Sequence, residues 1–254
     1  MPIKIKQYGW IPDLPDNRDY SYAAPAEVLV RLPPSADLRG QCPPVYDQGQ
    51  LGSCTANAIA AAVEFDLMKQ KQKRVFIPSR LFLYYNECAM EGTVASDSGA
   101  QIRDGIKSEA TQGDCPENIW PYDIAKFAVK PPQKCYSSAV KYKAINYQRL
   151  SQDVNQLKGC LASGYPFVFG FTVYESFEGQ QVAQTGHAPM PAPKEKVMGG
   201  HAVMAVGYDD SQQWFVVRNS WGPSWGMQGY FTLPYPYLIN DNLSSDFWTI
   251  RVMS

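Results

Sequence analysis

An α+β protein of two facing lobes is what the order of patterns in this sequence predicts: helical periodicities fill the front half and short β-rich runs fill the back. After Cys54, residues Ala56, Ile59, Ala60, Val63 and Leu67 recur at helical spacing, which predicts a helix to about Gln72. Its opposite face stays small and apolar up to Glu64, so burial on most sides is expected there. Further helices are predicted over 78–91, 100–111 and 153–163. PFVFGFTVY, HAVMAVGY, WFVVRN, GYFTLPY and FWTIRVM then read as strands separated by turns such as DDSQQ.

In front of this body, residues 1–36 carry Pro2, Pro12, Pro15, Pro25, Pro33 and Pro34 interleaved with Tyr8, Trp10, Tyr20 and Tyr22. Prolines at that density predict extended backbone and no helix. The aromatics predict that this arm lies on a folded surface.

At 254 residues the chain is long enough to bury a full core. A net charge of -1 gives no electrostatic reason for nucleic acid or an anionic membrane as partner. The longest apolar run, 165–174, has the length of a core strand and falls short of a membrane span. No signal peptide is read at the start, so the compartment stays open. The six cysteines form no C-x-x-C pair, and with two histidines no zinc site is expected. No cofactor is called for, and a monomer is expected. Cys88, Cys115 and Cys135 leave room for one bridge whose pairing the sequence does not give.

The chemistry concentrates around DQGQLGSC, residues 47–54. A cysteine at a helix N-terminus sits among unsatisfied N–H groups at the positive end of the dipole, which favours the thiolate. A base must accompany it, and the histidines are His187 and His201. His187 lies in a proline-rich loop, whereas His201 opens a strand. With a turn centred near Asp210, Asn219 on the next strand is expected opposite His201 or one residue out of register, where its amide can orient the imidazole. Gln48 can pair its side-chain N–H with the Cys54 backbone N–H as a two-donor oxyanion hole.

QGQLGSC, followed by GGHAVMAVGY and RNSWGPSWGMQGYF, resembles the papain family of cysteine peptidases. His201 follows Cys54 by 147 residues and Asn219 by 165, against a family spacing of roughly 130–150. LPPSADLRG (32–40) resembles the family's mature start, and WPYD (120–123) a further family element. The resemblance implies a papain-like two-lobed fold, one lobe helical and one an antiparallel β-rich lobe, with the active-site cleft between them. It implies Cys54 as nucleophile, His201 as general base and acid, Asn219 as orienter, Gln48 as oxyanion donor and Trp221 as shield of the Asn–His bond. Ser98, Gly99 and Ala100 would offer backbone to an extended substrate. Ala100, Gly170, Gly200 and Ala202 would line the pocket for the residue two before the scissile bond, with Ser245 or Asp246 at its base.

Two family cysteines are missing together: Leu51 stands at one position, and ASDSGAQIR (95–103) covers the other. This implies a bacterial-type member that does without that bridge. The family's folded pro-domain is replaced by a short stretch, so the chain divides into an arm, 1–31, and a peptidase domain, 32–254. Either the arm is a permanent strap, or YGWIPDLPDNRDY (8–20) covers the cleft as an inhibitor, removed by a nick near 23–32. The partner expected is a peptide or protein substrate, cleaved as by an endopeptidase. An acyl transferase on the same triad would show as transfer to an added amine outrunning hydrolysis. A non-catalytic peptide-binding module would show as alkylation of Cys54 without turnover.

Overall fold

The computed structural model describes residues 8–71 and 75–253. In chain order these give β1 (Trp10–Ile11), α1 (Ala26–Val30), β2 (Ser35–Asp37), α2 (Cys54–Lys69), α3 (Arg80–Glu91), β3 (Ala100–Gln101), α4 (Ile102–Thr111), α5 (Gln133–Ala139), β4 (Ala144–Arg149), α6 (Val154–Ala162), β5 (Phe167–Tyr174), α7 (Gln180–Thr185), β6 (Val197–Asp209), β7 (Trp214–Arg218), β8 (Tyr230–Pro234), α8 (Tyr235–Ile239) and β9 (Ser244–Met253). Helices lead and strands follow, as the sequence predicts.

The strands of the second half close an antiparallel sheet in the order β4-β9-β5-β6-β7-β8, with β2 added against β6. Its phenylalanines stack through one core: Phe169 lies 5.5 Å from Phe247 in parallel, and Phe167 meets Phe215 edge-on. α2 packs between this sheet and α3 and α4. Every residue from Cys54 to Leu67 is buried, because alanines on the outer face let neighbours approach from all sides. A hidden helix needs its polar groups answered, and Thr55 Oγ1 donates to Glu87 Oε2 at 2.8 Å while the Tyr46 hydroxyl donates to Glu64.

α2 ends at Lys69, earlier than predicted; Gln72 lies outside the described residues. The arm is not extended throughout: AEVLV forms α1, a five-residue helix. Pro25 sits at its N-cap, where a missing N–H removes no helical bond, and no proline falls inside it. The sequence reading also missed α5, β4, α7 and α8, which are short or polar on the outside.

The described residues of the arm before α1 are bound to the body at several points. Tyr22 N–H donates to Arg149 C=O and Arg149 N–H to Tyr20 C=O, so 20–22 runs as a strap beside β4. The Asp19 carboxylate pairs with Arg103 at 2.6 Å and Arg149 at 3.1 Å. Tyr22 and Ala24 are buried in the main core. Among the described residues no helix is long and apolar enough to cross a membrane.

Candidate active site

Cys54 is the first residue of α2, and the N–H groups of Ala202, Gly9 and Thr55 lie within hydrogen-bonding reach of its sulfur. His201 and Ala202 sit on β6 opposite Phe171 and Gly170 of β5. His201 Nε2 is 2.9 Å from Asn219 Oδ1, which also accepts the Ser220 N–H at 2.8 Å. That second bond identifies Oδ1 as the oxygen, so the imidazole carries its proton on Nε2 and leaves Nδ1 as a base. Nδ1 is buried and has no hydrogen-bond partner among the described residues. The Trp221 ring stacks on the imidazole at 5.1 Å and meets Trp225 edge-on.

The two strands do not bring His201 and Asn219 directly opposite. Asp209 faces Trp214, which puts the turn beyond Asp210, and a bulge between Ala205 and Gly207 shifts the register again. Met204 faces Arg218, so His201 and Asn219 are diagonal neighbours on one face. Diagonal pairs remain within reach of long side chains, and the bond forms anyway.

Gln48 is held at both ends of its amide: Nε2 donates to Leu51 C=O at 2.9 Å and Oε1 accepts from Ser220 Oγ at 2.6 Å. One Nε2 hydrogen remains for a second acceptor. Its backbone is fixed too, since Gln48 C=O accepts from the Tyr122 hydroxyl, which also touches Ser53 Oγ at 2.5 Å. Arg80 completes the support by donating to Asn57 Oδ1 and Asp47 C=O while forking onto Glu117 at 2.8 and 2.9 Å.

Where the two family cysteines are missing, Asp97 joins the same two stretches. Its carboxylate accepts the Gly52 N–H at 3.0 Å and the Tyr84 hydroxyl at 2.6 Å. The carboxylate thereby ties the 95–101 segment to the loop before Cys54.

The cleft in front of Cys54 is filled by the arm. β1 pairs in parallel with β3, Trp10 facing Ala100, and Ala100 N–H donates to Gly9 C=O at 2.8 Å. Trp10 occupies the predicted pocket: a Cβ on Gly170 would lie 1.9 Å from the indole, and one on Gly200 2.6 Å from the Trp10 carbonyl oxygen. At the pocket base, Asp246 Oδ2 accepts the indole N–H at 3.2 Å and the Asp13 N–H at 2.8 Å. Tyr8 lies over Gly199, 5.9 Å from the His201 ring, and its hydroxyl donates to Glu178 at 2.6 Å. Gly99 takes positive φ and lies against Gly9, where a side chain would clash with the arm backbone. Ser98 makes no such contact; its N–H donates to Ser96 C=O. Gly199, Asp97 and Arg80 were given no role by the sequence reading, whereas Tyr8 fell within the cleft-covering segment 8–20 and Tyr122 within WPYD, neither with a stated contact. His187 is engaged elsewhere, with Thr232 Oγ1 at 3.0 Å and stacked on Trp214.

Covering changes the electrostatics. Burial pushes the Cys54 thiol up to about 12 and pulls the His201 imidazole down to about 4. The expectation of a helix-stabilised thiolate therefore does not describe the covered site. There both partners are neutral, because loss of water outweighs the helix terminus.

A cysteine-led helix facing a histidine-bearing sheet is the architecture of a cysteine peptidase. Residues 32–238 match the model for the papain family cysteine protease. The chain is 42% identical over 270 residues to an uncharacterized peptidase C1-like protein of Acanthamoeba polyphaga mimivirus, covering 97% of this chain and 87% of that one. It is 30% identical to a cathepsin B-like protein of Giardia intestinalis, covering 80% and 70%. Among solved structures it is similar to xylellain, a cysteine protease from Xylella fastidiosa, with 47% identity, a TM-score of 0.91 and coverage of 99% and 98%. The chain belongs to the papain family of cysteine peptidases.

Proposed function

We propose that this peptidase is an endopeptidase acting through Cys54, His201, Asn219 and Gln48, held shut by residues 8–14 of its own arm. The observation that carries the catalytic reading is the division of the imidazole: Nε2 is fixed on Asn219 and Nδ1 is left unpartnered beside the residues that surround the sulfur.

With the arm out of the cleft and water admitted, His201 Nδ1 takes the thiol proton, and imidazolium and thiolate stabilise each other. The sulfur attacks the carbonyl carbon of the bound peptide. The developing oxyanion is met by the Cys54 N–H and the free Nε2 hydrogen of Gln48. His201 returns its proton to the leaving amine, and a thioester remains. Water then attacks the thioester with His201 again as base, releasing the acid and restoring the thiol.

Substrate recognition follows from the walls. Gly99 and Ala100 lend backbone to an extended peptide, as they do to Gly9. The pocket bounded by Gly170, Gly200 and Ala202 admits a large side chain, as it does Trp10. Autoinhibition rests on the same contacts, and the division into an arm, 1–31, and a peptidase domain, 32–254, is part of this proposal. The strap over 16–24 is a second job of the arm, because it completes the surface beside β4. A nick in the exposed stretch near Val30 would sever the arm from the peptidase domain and let strap and plug leave together.

The test is hydrolysis of a fluorogenic peptide under reducing conditions, using the full chain, the chain starting at Leu32 and Cys54→Ala as control. Cleavage that rises on shortening and vanishes with Cys54→Ala is expected. Equal cleavage in both lengths would remove the autoinhibition, and turnover by Cys54→Ala would remove the catalytic assignment. Transfer to an added amine outrunning hydrolysis would make it a transferase.

A further inference from the structure

Away from the cleft, Cys115 and Cys135 are both fully buried and share a small core with Phe82 and Ala139, separate from the main one. Both are free thiols, and each is the other's neighbour in this four-residue cluster. The backbone holds each in position: Cys115 C=O accepts the Ser79 N–H at 2.8 Å, and Cys135 N–H donates to Pro132 C=O at 2.8 Å. Tyr136, next to Cys135, packs edge-on against Phe82 at 5.0 Å, which fixes α5 over the pair.

We propose that Cys115 and Cys135 join as a disulfide when the chain folds in oxidising surroundings, closing residues 116–134 into a stapled loop. That loop carries Glu117, the partner of Arg80, and Tyr122, whose hydroxyl reaches Gln48 C=O and Ser53. The staple would thus anchor the support behind the proposed oxyanion donor, where the segment's own apolar core is small.

The oxidant is a low-molecular-weight disulfide such as glutathione disulfide. One cysteine thiolate attacks a glutathione sulfur, breaking its S–S bond and releasing glutathione as thiolate, which takes up the proton lost by the cysteine. The second cysteine, as thiolate, attacks the protein sulfur of this mixed disulfide and releases the second glutathione. Two protein thiols are oxidised and one glutathione disulfide is reduced to two glutathiones. In the folded chain both thiols lie away from solvent, and burial together with Asp114 pushes the Cys115 thiol up. Exchange is therefore confined to folding, and a bridge once packed is shielded from reductant.

The full chain carrying Cys54→Ala, which removes the proposed nucleophile, is unfolded and refolded with either glutathione disulfide or reduced glutathione. It is then denatured, alkylated with N-ethylmaleimide and digested. With the oxidant, alkylation is expected at Cys42, Cys88 and Cys160, together with one peptide linking Cys115 to Cys135; with the reductant, all five remaining cysteines are labelled. Free Cys115 and Cys135 after oxidative refolding, or a link to any other cysteine, overturns the proposal. A second measurement avoids refolding. Protein isolated from an oxidising expression compartment and alkylated before any reductant should give the same linked peptide, and free thiols there would equally contradict it.

Discussion

Gly9 meets Cys54 with its N–H and turns its carbonyl away, onto the Ala100 N–H at 2.8 Å. A thiolate attacks a carbonyl carbon, and an amide N–H is no electrophile. The arm fills the cleft, and the backbone group that Gly9 turns to the sulfur is an N–H donor and not a carbonyl. Its parallel pairing with β3 sets this polarity, because the strand direction decides which backbone group faces the sulfur.

In the proposed autoinhibition Trp10 anchors the plug, since it is buried against Gly170 and Gly200 with its N–H on Asp246. Truncating a buried tryptophan costs about 3 kcal/mol at the low end, or roughly two decades in an equilibrium. Trp10→Ala in the full chain should raise peptide hydrolysis by up to about 100-fold toward the arm-free rate. Steady-state rates with matched arm-free controls check this, and an unchanged rate would place the block elsewhere.

The plug should loosen as pH rises through mild acidity. Asp13 has a fully buried side chain facing Asp246, with Arg103, Arg149 and the Trp248 indole as its other partners. Burial first, then Asp246, pushes it up from 3.8 to about 6. Docking thus takes up a proton. The contribution of Asp13 is complete below about 3.8 and is lost as pH climbs through about 6. The full-chain to arm-free activity ratio should rise across that window, and Asp13→Asn should flatten it. A ratio that falls with rising pH would refute this sign.

Gln48→Ala in an arm-free chain should lower kcat by about 10²–10³ and leave KM nearly unchanged, since a lost oxyanion donor matters in the transition state. A rise in KM with kcat intact would reassign Gln48 to substrate binding. Tyr122→Phe provides a graded comparison, because it removes the hydroxyl on Gln48 C=O and leaves the side-chain amide of Gln48 in place.

The sequence made the clustering of Cys54, His201 and Asn219 legible because local patterns place them: a helix start, a strand start and the strand after one turn. It misplaced the register of the last two because the turn centres beyond Asp210, and the bulge between Ala205 and Gly207 takes back only one residue of that offset. It left the arm undecided between strap and plug; 20–22 runs beside β4 as a strap would, and Trp10 fills the pocket as the proposed plug requires. The deciding contact, Trp10 to Asp246, spans 236 residues and follows no periodicity. Asp97 was equally hidden. The missing cysteines marked the place, but a carboxylate bonding Gly52 N–H and Tyr84 is visible only once the loops are folded together.

The most direct measurement is the rate of Cys54 alkylation by iodoacetamide as a function of pH, followed by peptide mass in the full chain and in Trp10→Ala. With the arm docked, the buried thiol near 12 should react slowly at neutral pH and accelerate only in strong alkali. With Trp10 removed, Cys54 should react rapidly at neutral pH, with an inflection on the acid side as the imidazolium–thiolate pair forms. Equal rates at neutral pH in both chains would contradict an arm that keeps the nucleophile covered and un-ionised.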